Sequence, residues 1–584
     1  MKKSMKLLSL LLAMVMVLGM LSACGGAGTS APAEESAAAV SEAAPEAAPE
    51  AAPEAAPEAE GSAVEASVVE EAAEPEGFVN QTVELPIVEE PVHYTCWMPV
   101  APYVGEFMNL EDFSEKVATV KLINEATNVF IDFNAIAGGV GEEEKFNLMV
   151  ASGDYMDIIG VMNYYSASRN SAGHEKAIED GVIIDIKDDL EEYAPNYWNR
   201  LVADDNAYMT MLTPSGMMGC IGQMLKVAGT ENQGMIVRKD WYEESGVDGL
   251  ETLDKFEEYL TYCKDTYGAY AYLNYGGVDT NFGAAFNTSG AYNVYDGVVK
   301  HSYDTEEFKA YLTKMNDWYE KGLFNDDFYN DDELTAVRTD MANDLCSYTE
   351  GSAENMANIF DMNQANTKME LMGIPYPKAE GVDEIHVGYE SQLLKNADTW
   401  AISTACDDHT ALLQLVNWLY SDEADLMYNW GTEDVTYTLD AEGNPQWTDL
   451  VINNPEGLNF MFASYLYATG VGSVYFPGRY DMAKGFYAYN DDIMAAVDTF
   501  SVLTDGAYNM PKYATLTTEE TEEYVSYSAD LETYAEGMVL KFIMGDEPME
   551  NYDAFLQTCK DMGLDRMTEL YQGAYDRGQE ALNA

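Results

Sequence analysis

Val129-Phe130-Ile131-Asp132-Phe133 puts Val129, Ile131 and Phe133 on one side of an extended chain and a carboxylate on the other, the two-residue period of a strand. Upstream, Phe113, Val117, Val120 and Ile123 recur at helical spacing, so an amphipathic helix is expected over 114–127. Before it, His93-Tyr94-Thr95-Cys96-Trp97, starting at Val92, reads as another strand. Downstream, a helix over 141–152 carries Phe146, Met149 and Val150 and stops at Gly153, and Asp157-Ile158-Ile159-Gly160 is a third strand. Strand, helix, strand, helix, strand is the order of a parallel α/β sheet. Ligands of such sheets bind beyond the carboxyl ends of the strands. That rule singles out Trp97 and the run Asn163-Tyr164-Tyr165, each placed just past a strand end.

Later elements are also signalled. Asp304-x-x-Glu307 opens a helix carrying Phe308, Tyr311, Leu312, Met315 and Tyr319 and closed by Gly322, and Thr517-x-x-Glu520 opens a longer one. Leu412, Leu415, Val416 and Leu419 make one apolar helix face, preceded by a strand over 399–403. Thr436 to Leu439, followed by Asp440 to Pro445, starts a hairpin. The stretch 269–303, rich in Gly, Asn and Tyr, reads as loops with short strands.

At the amino end, Lys2, Lys3 and Lys6 precede an apolar run from Leu7 to Leu18, then Leu21-Ser22-Ala23-Cys24. This order resembles the lipobox of bacterial lipoproteins. The resemblance implies a signal peptide over 1–23, cleavage before Cys24, and acyl chains on the Cys24 sulfur and amine. Two or three such chains hold a protein on a membrane far more firmly than one. Residues 24–91 then form a tether, with four copies of Ala-Ala-Pro-Glu over 43–58. Proline every fourth residue blocks a helix, like charges repel, and too few large apolar side chains exist to bury a core. The body, 92–584, is long enough for two or three lobes.

The chain has 30 Lys and Arg against 102 Asp and Glu, a formal charge of −72. Such a surface repels nucleic acid and anionic lipid. After the first apolar run, none approaches membrane-spanning length. Besides Cys24, six scattered cysteines form no Cys-x-x-Cys pair, which argues against a zinc ribbon or a redox motif; disulfides and isolated thiols both fit.

From Thr399 onward, four motifs come in order: Trp400-Ala-Ile-Ser403, Leu415-Val-Asn-Trp418-Leu-Tyr-Ser421-Asp-Glu423, Asn429-Trp-Gly431-Thr-Glu433-Asp-Val-Thr-Tyr437 and Asp440-Ala-Glu-Gly443-Asn-Pro445. With Leu148 to Ile159, Val237-Arg-Lys-Asp-Trp241 and Phe542-Ile-Met-Gly545, they resemble the family 1 extracellular solute-binding proteins, the carbohydrate-type lipoproteins of ABC importers. The family commonly has proline where Met156 stands and glycine where Asp434 stands. The resemblance implies an α/β, two-lobed periplasmic-binding-protein-like fold, with an interlobe cleft and strand crossovers near 219–237, 366–373 and 428–435. Lobe one would comprise about 92–220 plus 368–428, and lobe two about 221–367 plus 429–584. The function implied is capture of a carbohydrate, an oligosaccharide by expectation, and its delivery to permease subunits from the outer face of the cell membrane. A monomer without cofactor is expected.

A sugar site needs aromatic platforms and polar groups that fix orientation, and the chain has 41 Tyr and 8 Trp. Trp97, Trp400, Trp430 and Tyr437 are the stacking candidates, each also readable as a core or lobe-interface aromatic, and the strand position of Trp400 favours burial. Asn163, Tyr164, Asn274 and Glu433 are candidate polar contacts, with caps and turns as the plainer role. Arg479 would clamp a ligand oxygen or serve a structural ion pair. No His-Glu-x-x-His, Gly-x-Ser-x-Gly or phosphate-binding loop occurs, so no enzyme is expected. The acidic cluster over 325–333 lacks EF-hand spacing and reads as a solvated turn. Two other functions remain open on residues alone: a surface glycoside hydrolase with carboxylates roughly 5–10 Å apart, and an adhesion or scaffold lipoprotein.

The Cys24→Ala variant is expected to leave the membrane fraction for the medium, or to persist as unprocessed precursor, on fractionation and immunoblotting. Normal membrane retention would refute the lipid anchor.

Overall fold

Val92–Val100 (β1) and Val129–Ala137 (β2) pair in parallel along their whole length. β2 shows the expected alternation, with Val129, Ile131 and Phe133 buried and Asp132 and Asn134 exposed. β1 takes Ile158–Gly160 (β3) in parallel on its other side. Thr95 fixes that junction, its amide and hydroxyl both donating to Asp157 Oδ2 at 2.8 and 2.7 Å. The helix expected over 114–127 is two, because β-branched Val117 is extended and fully buried between Phe113–Lys116 and Ala118–Thr127 (α1). Glu142–Ser152 (α2) ends as expected at Gly153, in the left-handed region, whose amide closes on the Met149 and Val150 carbonyls. β1 does not end at Trp97. It runs on to Val100, buried from Cys96 onward, because β2 offers a paired edge throughout.

The computed structural model describes residues 80–583 except 101–103, 139–140, 161–172, 230–232, 274–279, 326–327, 331–333, 363–365, 367, 389–391, 442, 469–474, 483, 486–489 and 501–503. Cys24, Asn163, Tyr164, Asn274 and much of the 325–333 cluster lie outside the described residues. The further strands are β4 Ile221–Gly229, β5 Gln233–Arg238, β6 Tyr270–Ala271, β7 Tyr292–Tyr295, β8 Val298–His301, β9 Cys346–Ser352, β10 Leu371–Ile374, β11 Gln392–Ile402, β12 Tyr437–Leu439, β13 Pro445–Trp447 and β14 Arg479–Tyr480. One sheet has the order β14-β4-β11-β3-β1-β2, a second β10-β5-β9-β6, and β7–β8 and β12–β13 are hairpins.

Helices Leu253–Tyr267 (α3), Glu306–Glu320 (α4), Thr410–Leu419 (α5), Asp422–Trp430 (α6), Asp491–Phe500 (α7) and Thr518–Met544 (α8) dress these sheets. α8 carries the expected capping box, Thr517 Oγ1 accepting from the Glu520 amide and Glu520 Oε2 from the Thr517 amide. The cap of α4 is Thr305, one residue beyond the expected Asp304, because Ser302–Asp304 forms a tight turn that leaves Thr305 extended. Among the described residues none of the six cysteines of the body is joined in a disulfide, and five of them are buried.

Each sheet has its own core, so the fold has two lobes. The chain crosses from β4 to β5, from β10 to β11, and between β14 and α7. The boundaries differ from expectation. β4 belongs to the first sheet and β10 to the second, and the third crossing follows Tyr480 instead of Tyr428. Tyr465, Tyr475 and Phe476 lie in the first core, while 430–468 adds a small core of its own. The cause is local bonding. Gln223 Nε2 donates to Tyr428 Oη (2.8 Å), which donates to the Phe476 carbonyl (3.1 Å), and Trp400 Nε1 donates to the Tyr475 carbonyl (3.0 Å). Gly478 permits the approach, since a Cβ there would sit 2.7 Å from the Tyr428 ring.

In the second lobe one carboxylate clamps α3 to α4. Glu257 Oε2 accepts from Lys314 Nζ and Trp318 Nε1, each at 2.8 Å, and Lys321 Nζ reaches Oε1. Burial alone would raise the Glu257 pKa; the three donors outweigh it and hold the group at about 2. Its contribution is therefore present above the unfolded-chain value of 4.5 and lost as pH falls through about 2. Glu257→Gln is expected to lower the unfolding free energy by about 1–2 kcal/mol at pH 7, after solvent screening. In urea titrations the gap to the parent should close between about pH 4.5 and 2; a gap independent of pH would refute the clamp.

Candidate functional site

In both sheets the carboxyl ends of the parallel strands are the ends at which the chain crosses. Gly160 closes β3 opposite Trp400, and β11 enters from beyond that end at Gln392, opposite Gly229 at the end of β4. In the second sheet Ser352 closes β9 opposite Gln233, where β5 begins, and Ile374 ends β10 beside Met235. This is where open α/β sheets bind ligands.

The described candidates are placed as follows. Trp97 lies under α2 against Phe146, ring centroids 5.6 Å apart, and is 4% exposed. Trp400 is fully buried, its ring 5.4 Å from Phe476. Trp430 ends α6 and packs on Trp447 at 4.3 Å and Tyr437 at 6.4 Å, closing the core of the β12–β13 hairpin. Glu433 is exposed and bridges to Tyr437 along the backbone. Arg479 is buried, with Nη2 2.9 Å from Asp422 Oδ1 and 3.8 Å from Asp425 Oδ1. Trp430, Glu433 and Tyr437 are thus brought together, while Trp97, Trp400 and Arg479 each sit in separate packing. Asp434, at the family's glycine position, has φ 60 and donates its amide to the Tyr437 carbonyl. Aspartate is among the few side chains that tolerate this left-handed turn.

Cations gather at the end of β4 and β14. Lys226 Nζ lies 2.8 Å from Asp425 and 3.9 Å from Asp481. The ammonium groups of Lys395 and Lys484 lie 4.8 and 4.1 Å from the centroid of the Tyr480 ring. Lys484 is fully buried; loss of water pushes its pKa down to about 7 against the pull of Asp481. Its backbone carbonyl accepts from Trp447 Nε1 at 2.7 Å, tying the hairpin to this network. Asp422, Asp425 and Asp481 stand among Lys226, Lys395, Lys484 and Arg479, so charge is largely balanced inside the cluster.

At the corresponding end of the second sheet lies a cavity of about 400 Å³, lined by Gln233, Tyr376, His386, Phe500 and Asp505 among others. Phe500 packs against the start of β5, where a Cβ on Gly234 would sit 2.4 Å from its ring. His386 Nδ1 lies 2.8 Å from Asp505 Oδ2, its ring 4.8 Å from Tyr508, and its backbone amide donates to Asn287 Oδ1 at 2.6 Å. The Ala507 amide, and then the His386 ring, hold Asp505 below the usual carboxylate range. No residue singled out from the sequence lines this cavity. His386 and Asp505 are 119 positions apart, and no periodicity links them. Among the described residues no group of three or more His, Cys, Asp or Glu is placed to hold a metal ion, and no helix is long and apolar enough to cross a membrane.

Known proteins share this frame. Lipoprotein LipO of Bacillus subtilis is 27% identical over 239 residues, 38% of this chain and 45% of that protein. The chain thus matches less than half the length of this curated relative. The solved alginate-binding protein AlgQ2, without calcium ion, superposes with a TM-score of 0.63 at 19% identity, covering 84% of this chain and 99% of its own. An HMO-binding, ABC-transporter-associated solute-binding protein from Bifidobacterium longum infantis gives 0.65 at 16% identity, over 84% and 99%. FusA of Streptococcus pneumoniae, in complex with kestose, gives 0.64 at 16%, over 84% and 100%. At these identities the likeness is one of fold. The family model of the bacterial extracellular solute-binding proteins, however, matches residues 110–425, more than half of the sequence. With two lobes joined by strand crossovers at the carboxyl ends of their sheets, the chain belongs to that family.

Proposed function

We propose that this solute-binding protein captures an oligosaccharide between its lobes and hands it to the permease subunits of an ABC importer, held on the outer face of the cell membrane by acyl chains on Cys24. The observation that carries the proposal is the frame itself: two lobes whose crossings lie at the carboxyl ends of both sheets, in a fold shared with solved proteins described as alginate-binding, HMO-binding and in complex with kestose. A ligand touching both lobes shifts the protein toward closure, and a receptor needs nothing more. The lipobox-like Leu21 to Cys24 and the Ala-Ala-Pro-Glu tether support the anchor, and the LipO name agrees with it. Exposed Glu433 is a proposed hydroxyl partner. So are Asn163 and Tyr164, which follow β3 in sequence, and Asn274, which follows β6. The buried aromatics Trp97, Trp400, Trp430 and Tyr437, together with Arg479, support the strand ends in this scheme.

Mature protein is expected to be stabilised by one glycan class in a panel of fructo-, manno-, gluco-, galacto- and alginate oligosaccharides. The gain would be about 2.7 kcal/mol at a hundredfold excess over Kd. Small-angle scattering should show a smaller radius of gyration with the bound glycan, and chromatography should return that glycan intact. Cleavage products would instead support a hydrolase, and no stabilisation by any glycan would refute the proposal.

A further inference from the structure

We infer that the cavity at the start of β5 is a subsite for an uncharged sugar unit, with His386 and Asp505 as its orienting groups. The inference rests on the carbohydrate reading above and names where, and for what kind of glycan, that reading is realised in the second lobe. The cavity's place is the first reason: Gln233 opens β5 opposite Ser352, the last residue of β9, and Ile374 ends β10 on the same side. A ligand there meets the carboxyl end of the sheet, beside two of the connections between the lobes. The second reason is size, since about 400 Å³ falls within the roughly 300–1,000 Å³ of small-molecule sites.

The lining supplies the third reason. Phe500, Tyr376 and Ile374 offer apolar surface to the C–H faces of a ring, and Gln233, Thr499 and His386 offer hydrogen-bonding groups to its hydroxyls. His386 is pre-oriented from three directions: Asp505 at 2.8 Å on Nδ1, the Tyr508 ring at 4.8 Å, and the Asn287 side chain on its backbone amide. Nε2, the ring nitrogen not paired with Asp505, can bond a sugar hydroxyl, and an ionised carboxylate accepts hydroxyl protons strongly. Held groups lose little freedom on binding, which is how a weak hydroxyl contact gains affinity.

Charge selects the class. Glu384 and Asp505 both line the cavity, and the Lys378 ammonium is directed to the Asp383 carbonyl at 2.7 Å. Set in a chain of charge −72, these two carboxylates disfavour a uronate or a sulfated unit and are indifferent to a neutral one.

The test uses the mature protein and calorimetric titration with the same panel, in which alginate oligosaccharides are the acidic arm. Thr499→Tyr fills the cavity from α7; His386→Phe keeps a ring against Tyr508 and removes the hydrogen bonds. Sugar-free melting of each variant reports folding. The expected result is a neutral glycan that binds the parent, at least tenfold weaker binding of it by both variants, and no binding of alginate oligosaccharides. Equal affinity in parent and in a variant that melts normally would overturn the subsite while leaving the carbohydrate reading intact. Preference of the parent for alginate would overturn the assignment to an uncharged unit. Failure of the parent to bind any glycan would overturn both the reading and the subsite built on it.

Discussion

Two antiparallel strand pairs, β4 with β11 and β5 with β10, are the constraint on which the molecule depends. β4 runs out of the first sheet and becomes β5 of the second; β10 runs back and becomes β11. Because partners lie side by side in both sheets, the two connections emerge next to each other. Each lobe then closes its own core, the first around Trp400 and Tyr428 and the second around Trp318 and Tyr348. Close-packed cores resist deformation, so a change of shape between lobes concentrates in the connections.

The third connection shows how polar groups can set a boundary. Residues 475–480 return to the first sheet because the Tyr475 and Phe476 carbonyls meet an indole N–H, a tyrosine hydroxyl and the Gln223 amide in a buried setting. Unsatisfied, those carbonyls would cost about 1–3 kcal/mol each. β14 adds to β4 beyond them, which draws Arg479 into its pairs with Asp422 and Asp425. A residue that is one of few cations in an acidic chain is thereby used to hold α6 against the sheet. The indole rings of Trp400 and Trp430 are similarly spent on Phe476 and on Trp447.

Much was legible before folding was considered. The alternation of Val129, Ile131 and Phe133, the stop at Gly153 and the Thr517–Glu520 box are local codes, and each is realised within a residue or so of its expected place. The family glycine position held by Asp434 is likewise local, since one backbone angle decides which side chains it tolerates. Where local code was outvoted, a partner across the fold did it. Val117 breaks a helix to bury itself, and β1 continues past Trp97 because β2 lies alongside.

The amino-acid sequence by itself determined that this is an α/β chain of the solute-binding family, strongly acidic, with a lipobox-like Leu21 to Cys24 and four Ala-Ala-Pro-Glu repeats. Tertiary structure alone decided which lobe owns Tyr465 and residues 475–480, which aromatic rings are covered, and which distant side chains meet in a cavity. The reason is physical. Periodicity and caps act over a few residues, and the sequence carries them openly. Exposure of a tryptophan, or a hydrogen bond between His386 and Asp505, depends on what the rest of the chain places beside it, and no local pattern encodes that.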